Sequence, residues 1–142
     1  MPGPVYSDDL LKRVLSETKT IALIGASANS SRPSYGVMQY MLHQGYRIFP
    51  VNPGLAGQDL LGCRVYARLA DVPELVDMVD IFRNSEDAGG VVDEALALER
   101  LPKVIWMQIG VITEAAAARA EAQGVTVIME HCPKIEHARL ID

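Results

Sequence analysis

Residues 20–36, Thr-Ile-Ala-Leu-Ile-Gly-Ala-Ser-Ala-Asn-Ser-Ser-Arg-Pro-Ser-Tyr-Gly, constrain the fold more than any other stretch of this 142-residue chain. Ile21 to Ile24 are apolar without alternation, as in a central parallel strand covered on both faces. The run breaks at Gly25 into small and hydroxylated residues. Arg32, Pro33, Ser34 and Gly36 then lead into Val37-Met38-Gln39-Tyr40-Met41-Leu42, which is apolar at helical spacing. Pro33 suits a first helical turn, where its missing N–H costs nothing, and Gly45 suits the stop. A strand–loop–helix join of this kind exposes backbone N–H groups at the positive end of a helix dipole. It predicts an anion site, and we expect the anion to be the phosphates of a nucleotide-bearing cofactor.

The rest of the chain repeats the strand–helix alternation. Ser7 is placed to cap a first helix, opened by Asp8 and Asp9 and carrying Leu10, Leu11, Val14 and Leu15 to about Lys19. Strands are expected at 46–51, 76–82, 103–107 and 125–129. A helix capped by Ser85 carries Val91, Val92, Ala95, Leu96 and Leu98. Gly89 and Gly90 in its first turns either allow close backbone approach or merely loosen it. Thr113 is expected to cap an alanine-rich helix that runs to about Gln123 and stops at Gly124. Residues 55–70 look irregular, with Val65-Tyr66 as a small strand, and 130–142 look like a polar tail. No linker or repeat divides the chain, so residues 1–142 are expected to form one domain. The alternation predicts an α/β fold: a doubly wound, Rossmann-like domain with a mostly parallel sheet of about five strands and helices on both faces. Ligands of such sheets sit at the C-terminal strand edge, where strand order reverses.

Charge and motif content narrow the ligand. The net charge of −5 lacks the basic field of a nonspecific nucleic-acid binder. No apolar run approaches the ~20 residues needed to span a bilayer, and the N-terminus has no basic region followed by an apolar one, so no secretory signal is expected. Two cysteines, Cys63 and Cys132, are too few for a disulfide scaffold, and a cytoplasmic location is expected. A dinucleotide fold would show G-x-G-x-x-G and an acid ending the second strand. Here no glycine falls between Gly25 and Gly36, and the second strand ends in Asn52. A G-x-x-x-x-G-K-[ST] loop is also absent. The loop offers Ser27, Ser30, Ser31, Ser34 and Arg32 instead, and Arg83 follows the third strand on the same edge; two guanidiniums and a helix N-terminus suit several phosphates.

The pieces Ile-Ala-Leu-Ile-Gly25-Ala26-Ser27, Arg32-Pro-Ser-Tyr-Gly36, Val-Asn52-Pro53, Val-Asp-Ile-Phe82-Arg83, Trp106-Met-Gln108-Ile-Gly110-Val and Cys132-Pro-Lys-Ile-Glu follow in order along nearly the whole chain. Together they resemble the small coenzyme A-binding proteins, whose domain is similar to the N-terminal domain of the succinyl-CoA synthetase α-subunit. The resemblance implies a Rossmann-like domain with coenzyme A (CoA) or an acyl-CoA across the strand edge. Gly25, Ala26 and Ser27, with Ser34, Tyr35 and Gly36, would hold the pyrophosphate beside Arg32. Asn52 and Pro53 would border the adenosine and its 3′-phosphate. Phe82 and Arg83 would line the adenine side or the cleft wall, and Gln108 and Gly110 the pantetheine arm. Two departures stand out. Gly54-Leu55-Ala56 lacks the lysine that family members often carry after Asn-Pro, and Glu130-His131 stands where relatives often have Asp or Asn followed by Arg.

Catalytic residues are not expected. The synthetases' phosphohistidine belongs to a second domain, which this chain is too short to contain. No G-x-S-x-G elbow exists, and no paired carboxylates fall on the ligand edge. His43 lies in the first crossover helix; His131 and His137 lie in the tail. Cys132 is either a buried, inert thiol or one activated by His131. A metal site from His131, Cys132 and His137 matches no standard zinc spacing. The expected function is a noncatalytic CoA-binding module, sensor or carrier. The alternative is an enzyme, either a CoA-dependent transferase or a NAD(P)-linked oxidoreductase, the latter disfavoured by Asn52.

Overall fold

A computed structural model describes residues 4–141. Its centre is a five-stranded, all-parallel sheet of β1 (Thr20–Ile24), β2 (Arg47–Val51), β3 (Met78–Ile81), β4 (Val104–Met107) and β5 (Thr126–Ile128). The spatial order is β2-β1-β3-β4-β5, so the direction of winding reverses between β1 and β3. Helices α1 (Asp8–Glu17), α2 (Pro33–His43) and α5 (Pro133–Leu140) pack on one face, and α3 (Ser85–Leu96) and α4 (Glu114–Glu121) on the other. The fold is the doubly wound α/β, Rossmann-like arrangement that the alternation predicts.

The strands are buried on both faces because their residues are apolar on both faces. Ala22 and Ile24 join Val79, Ile81, Ile105 and Met107 beneath α3 and α4, while Ile21 and Leu23 join Met78, Trp106 and Ile128 beneath α1, α2 and α5. Each fully buried Leu, Ile or Met contributes about 1.5–3 kcal/mol relative to exposure. Thr20, Arg47 and Thr126 open their strands at the sheet's other edge, while Asp80 is a buried polar residue within β3, with 1% of its surface exposed.

Capping sets most helix ends. The Ser7 hydroxyl accepts from Leu10 N–H at 3.1 Å, and Thr113 Oγ1 accepts from Ala116 N–H at 3.4 Å. Asn84, not Ser85, caps α3: its Oδ1 accepts from Asp87 N–H at 2.7 Å. Both residue types cap well, and Ser85 is engaged across the loop, donating to Gly110 O and accepting from Ile112 N–H at 2.9 Å. A Cβ on Gly89 would meet only Arg119 Nη2, at 3.9 Å, and one on Gly90 nothing within 4 Å among the described residues, so no backbone of another element approaches either closely.

Two segments differ from expectation. Residues 133–140 form α5 rather than a polar tail; its buried side chains are Pro133, Glu136 and His137. His137 Nδ1 lies 2.9 Å from Tyr40 Oη, and Glu136 Oε1 accepts from Arg139 Nη2 at 2.9 Å. Within 55–70 a small antiparallel hairpin pairs Asp59–Leu60 with Cys63–Arg64, and Tyr66 forms a single parallel bridge to Val51.

Candidate ligand-binding cleft

The loops after β1, β2, β3 and β4 enclose a cleft of about 680 Å³ at the C-terminal strand edge, where α2 and α3 leave for opposite faces. Gly25 makes the first turn of this cleft. Its φ is +91°, and a Cβ there would lie 2.9 Å from Phe82 O and 3.3 Å from Arg83 Cδ. Only glycine lets the two loops meet so closely. The Gly25 and Ala26 N–H groups both donate to Val51 O, at 3.1 and 3.3 Å.

Asn52 ties the β1 and β2 loops together. Its Nδ2 donates to Ala26 O at 2.7 Å, and its Oδ1 accepts from Gly54 N–H at 2.8 Å. The residue in the position of a dinucleotide-binding acid is therefore a brace between loops. The serine-rich segment is also braced from within. Ser27 Oγ accepts from Asn29 N–H at 3.0 Å, and Asn29 Oδ1 accepts from Ser31 N–H at 3.0 Å and from its hydroxyl at 2.7 Å.

These braces lead the chain into α2, whose N-terminus has no side-chain cap and carries Pro at its first position. The contrast with α1, α3 and α4, each closed by a capping side chain, leaves the α2 dipole end open to an anion. Arg32 stands beside it, exposed and with no ion pair among the described residues. Arg83, across the cleft, pairs with Asp87 at 3.0 Å.

On the far rim, Gly110 adopts φ +89°, and its N–H donates to Glu130 Oε1 at 2.8 Å. Glu130 thus holds the β4 loop from outside, and the loop after β5 does not line the cleft. Gln108 forms part of the floor. It is 7% exposed, and its Oε1 is buried with no hydrogen-bond donor opposite among the described residues.

Of the residues expected at the site, Gly25, Ala26, Ser27, Arg32 and Ser34 line the cleft from the β1 side. Asn52, Phe82, Arg83, Gln108 and Gly110 line it from the other loops. Tyr35 and Gly36 sit in the first turn of α2, and Pro53 opens a short 3-10 turn; these three do not line the cleft. Pro33, Asn84, Ile109 and Val111 line it as well. Each adjoins an expected residue, and their place within the same loops was the available signal.

The reactive candidates lie elsewhere. Cys132 is buried, 6% exposed, and does not line the cleft. His131 Nδ1 lies 2.7 Å from Met129 O, and its ring packs edge-on against Tyr6. Among the described residues no group of three or more His, Cys, Asp or Glu is arranged to hold a metal ion. Nor is any helix of the described residues long and apolar enough to cross a membrane.

A doubly wound parallel sheet with a cleft at its switch point belongs to the Rossmann-like class. Residues 19–138 match the model of the CoA binding domain family, and the chain belongs to that family. It is 36% identical over 128 residues to the uncharacterized protein YneT of Bacillus subtilis, covering 90% of this chain and 92% of YneT. A solved Thermus thermophilus structure, cell-free ID.343, superposes with a TM-score of 0.89 at 37% identity, covering 96% of this chain and all of that one. A 71-residue stretch is 32% identical to the ADP-forming acetate–CoA ligase II of Archaeoglobus fulgidus, covering 49% of this chain and 10% of the ligase.

Proposed function

We propose that the cleft binds coenzyme A or an acyl-CoA, and that the protein is a noncatalytic CoA-binding module, sensor or carrier. The observation that carries this reading is the open α2 N-terminus beside Arg32 in a cleft of a CoA-binding-domain family member. In this reading the pyrophosphate lies against the Gly25-Ala26-Ser27 turn and the first turn of α2, including Tyr35 and Gly36, with Arg32 beside it. The adenosine borders Asn52 and Pro53, with Phe82 and Arg83 as the wall. The pantetheine arm runs past Gln108 and Gly110. Family membership and the polar, arginine-bearing rim support this arrangement.

The engagement of Asn52 with Ala26 and Gly54 favours CoA over a nicotinamide dinucleotide, because the residue at this position is a bracing amide and not a carboxylate placed for a ribose 2′-hydroxyl. The burial of Cys132 and the distribution of the histidines favour binding without chemistry at this site. Titration calorimetry and thermal shift test the proposal. CoA should raise the melting temperature, with a stabilisation of about 2.7 kcal/mol at 100 times its Kd, while NAD and NADP should not. A shift with NADP and none with millimolar CoA would overturn the reading.

A further inference from the structure

Two buried oxygens have no donor opposite them among the described residues: Asp80 Oδ1 and Gln108 Oε1. They occupy neighbouring strands on the same face of the sheet. Asp80 pairs in register with Trp106 on β4 and with Leu23 on β1, and Trp106 pairs with Ile128. Leu23, Trp106 and Ile128 all belong to the core beneath α1, α2 and α5, which sets the direction of this row of side chains. Gln108 follows Trp106 by two residues and so returns to the same face. Its N–H donates to Ile81 O at 3.1 Å, which carries the ladder one step past β4. Asp80 and Gln108 are thus diagonal neighbours on one face of the parallel ladder.

Several polar groups beneath this face already have partners. Trp106 Nε1 donates to His131 O at 2.8 Å, Tyr46 Oη donates to Leu15 O at 2.6 Å, and His137 Nδ1 meets Tyr40 Oη at 2.9 Å. No cation pairs with Asp80 among the described residues. Two acceptors cannot satisfy each other, whereas a carboxylic acid and an amide oxygen can. Burial pushes the Asp80 carboxyl far above the usual carboxylate range, in keeping with the acid form.

We propose that the Asp80 carboxyl donates a hydrogen bond to Gln108 Oε1, and that this bond fixes the Gln108 amide with its Nε2–H groups turned into the cleft, toward an acceptor oxygen of the ligand. Asp80 is then a positioning residue that never touches ligand. An unanchored amide turns over freely and presents its oxygen as readily as its nitrogen; the anchored one offers only donors. The ligand end of this inference rests on the CoA reading above, while the Asp80–Gln108 contact stands without it.

The test joins a ligand-free spectrum to a mutant series. Isotope-edited infrared spectra of the ligand-free protein at neutral pH should show a protonated carboxyl band that is absent in Asp80→Asn and shifted in Gln108→Leu. An ionised Asp80, or a band indifferent to Gln108→Leu, overturns the proposal whatever CoA does. In CoA titrations, Asp80→Asn should bind like wild type, because its amide N–H replaces the acid O–H. Asp80→Leu and Gln108→Leu should each weaken binding about threefold to tenfold, the worth of one hydrogen bond, and the double variant no further. Wild-type affinity in Asp80→Leu, or additive losses, refutes the positioning role. Should Asp80→Leu not fold, Asp80→Asn with Gln108→Leu and the spectra still decide. Absence of CoA binding by wild type, with the expected bands present, removes the CoA reading and the role toward ligand but leaves the contact.

Discussion

Replacing Gly25 with alanine tests the geometry on which the cleft depends, and Gly45→Ala supplies an internal control. The two glycines have nearly the same backbone conformation, φ +91° and +95°. Alanine in the left-handed region costs about 1–2 kcal/mol at either site. They differ in what the new methyl meets. At Gly45 nothing lies within 4 Å, whereas at Gly25 Phe82 O would be 2.9 Å away and Phe82 C 3.2 Å. Both are backbone atoms of the adjoining loop, where the Phe82 N–H donates to Ile24 O at 2.8 Å, so they yield only if β1 and β3 splay at their C-terminal ends. Overpacking of this sort costs about 1–3 kcal/mol. Gly25→Ala should therefore lose about 2–5 kcal/mol and Gly45→Ala about 1–2 kcal/mol, by urea unfolding with unchanged m-values. Because the splay widens the cleft, Gly25→Ala should also lose CoA binding, while Gly45→Ala keeps it. Equal destabilisation of the two variants would refute the close approach of the β1 and β3 loops.

Other perturbations separate bracing from binding. Asn52→Ala removes the bond to Ala26 O and leaves that carbonyl partly buried and unpaired, so stability should fall by about 1–3 kcal/mol in chemical denaturation. Arg32→Ala should leave stability unchanged and weaken CoA by about tenfold in calorimetry, the effect shrinking at high salt; Arg83→Ala should cost less, since Arg83 already shares its charge with Asp87. Asp80→Asn should alter the pH dependence of stability. The raised native pKa of Asp80 means that the folded protein holds a proton that the unfolded chain releases above about pH 4. Its contribution is full below the unfolded pKa and is lost as pH rises toward and through the native value. The stability of wild type relative to Asp80→Asn should decline from about pH 4 upward, with a limiting slope of one proton; a difference independent of pH would contradict a buried neutral acid.

Local chemistry made the scaffold legible. Unbroken apolar runs at Ile21–Ile24 and Val104–Met107 mark strands covered on both faces, because a strand with one wet face must alternate. Ser7, Thr113, Gly45 and Gly124 mark helix ends because capping and left-handed turns depend on one or two side chains. Helix α5 escaped the same reasoning. Its buried positions are Pro133, Glu136 and His137, so no apolar stripe announces it; His137 meets Tyr40, 97 residues away, and Arg139 meets Asp8, 131 residues away.

The cap of α3 shows how a local tie is broken from a distance. Asn84 and Ser85 are adjacent and both good caps, and the bonds of Ser85 to Gly110 and Ile112 leave the task to Asn84. The cleft follows the same division. The chain by itself determined a strand–glycine–helix join with Arg32 beside it and an Asn at 52, since propensity, period and residue type act over a few neighbours. Only the tertiary structure decided that Asn52 braces Ala26, that Gly25 lies under Phe82 O, and that Asp80 and Gln108 each bury an oxygen without a partner among the described residues. Those facts depend on strand order and register, which bring together residues dozens of positions apart, and no local pattern encodes which buried oxygen will find a donor.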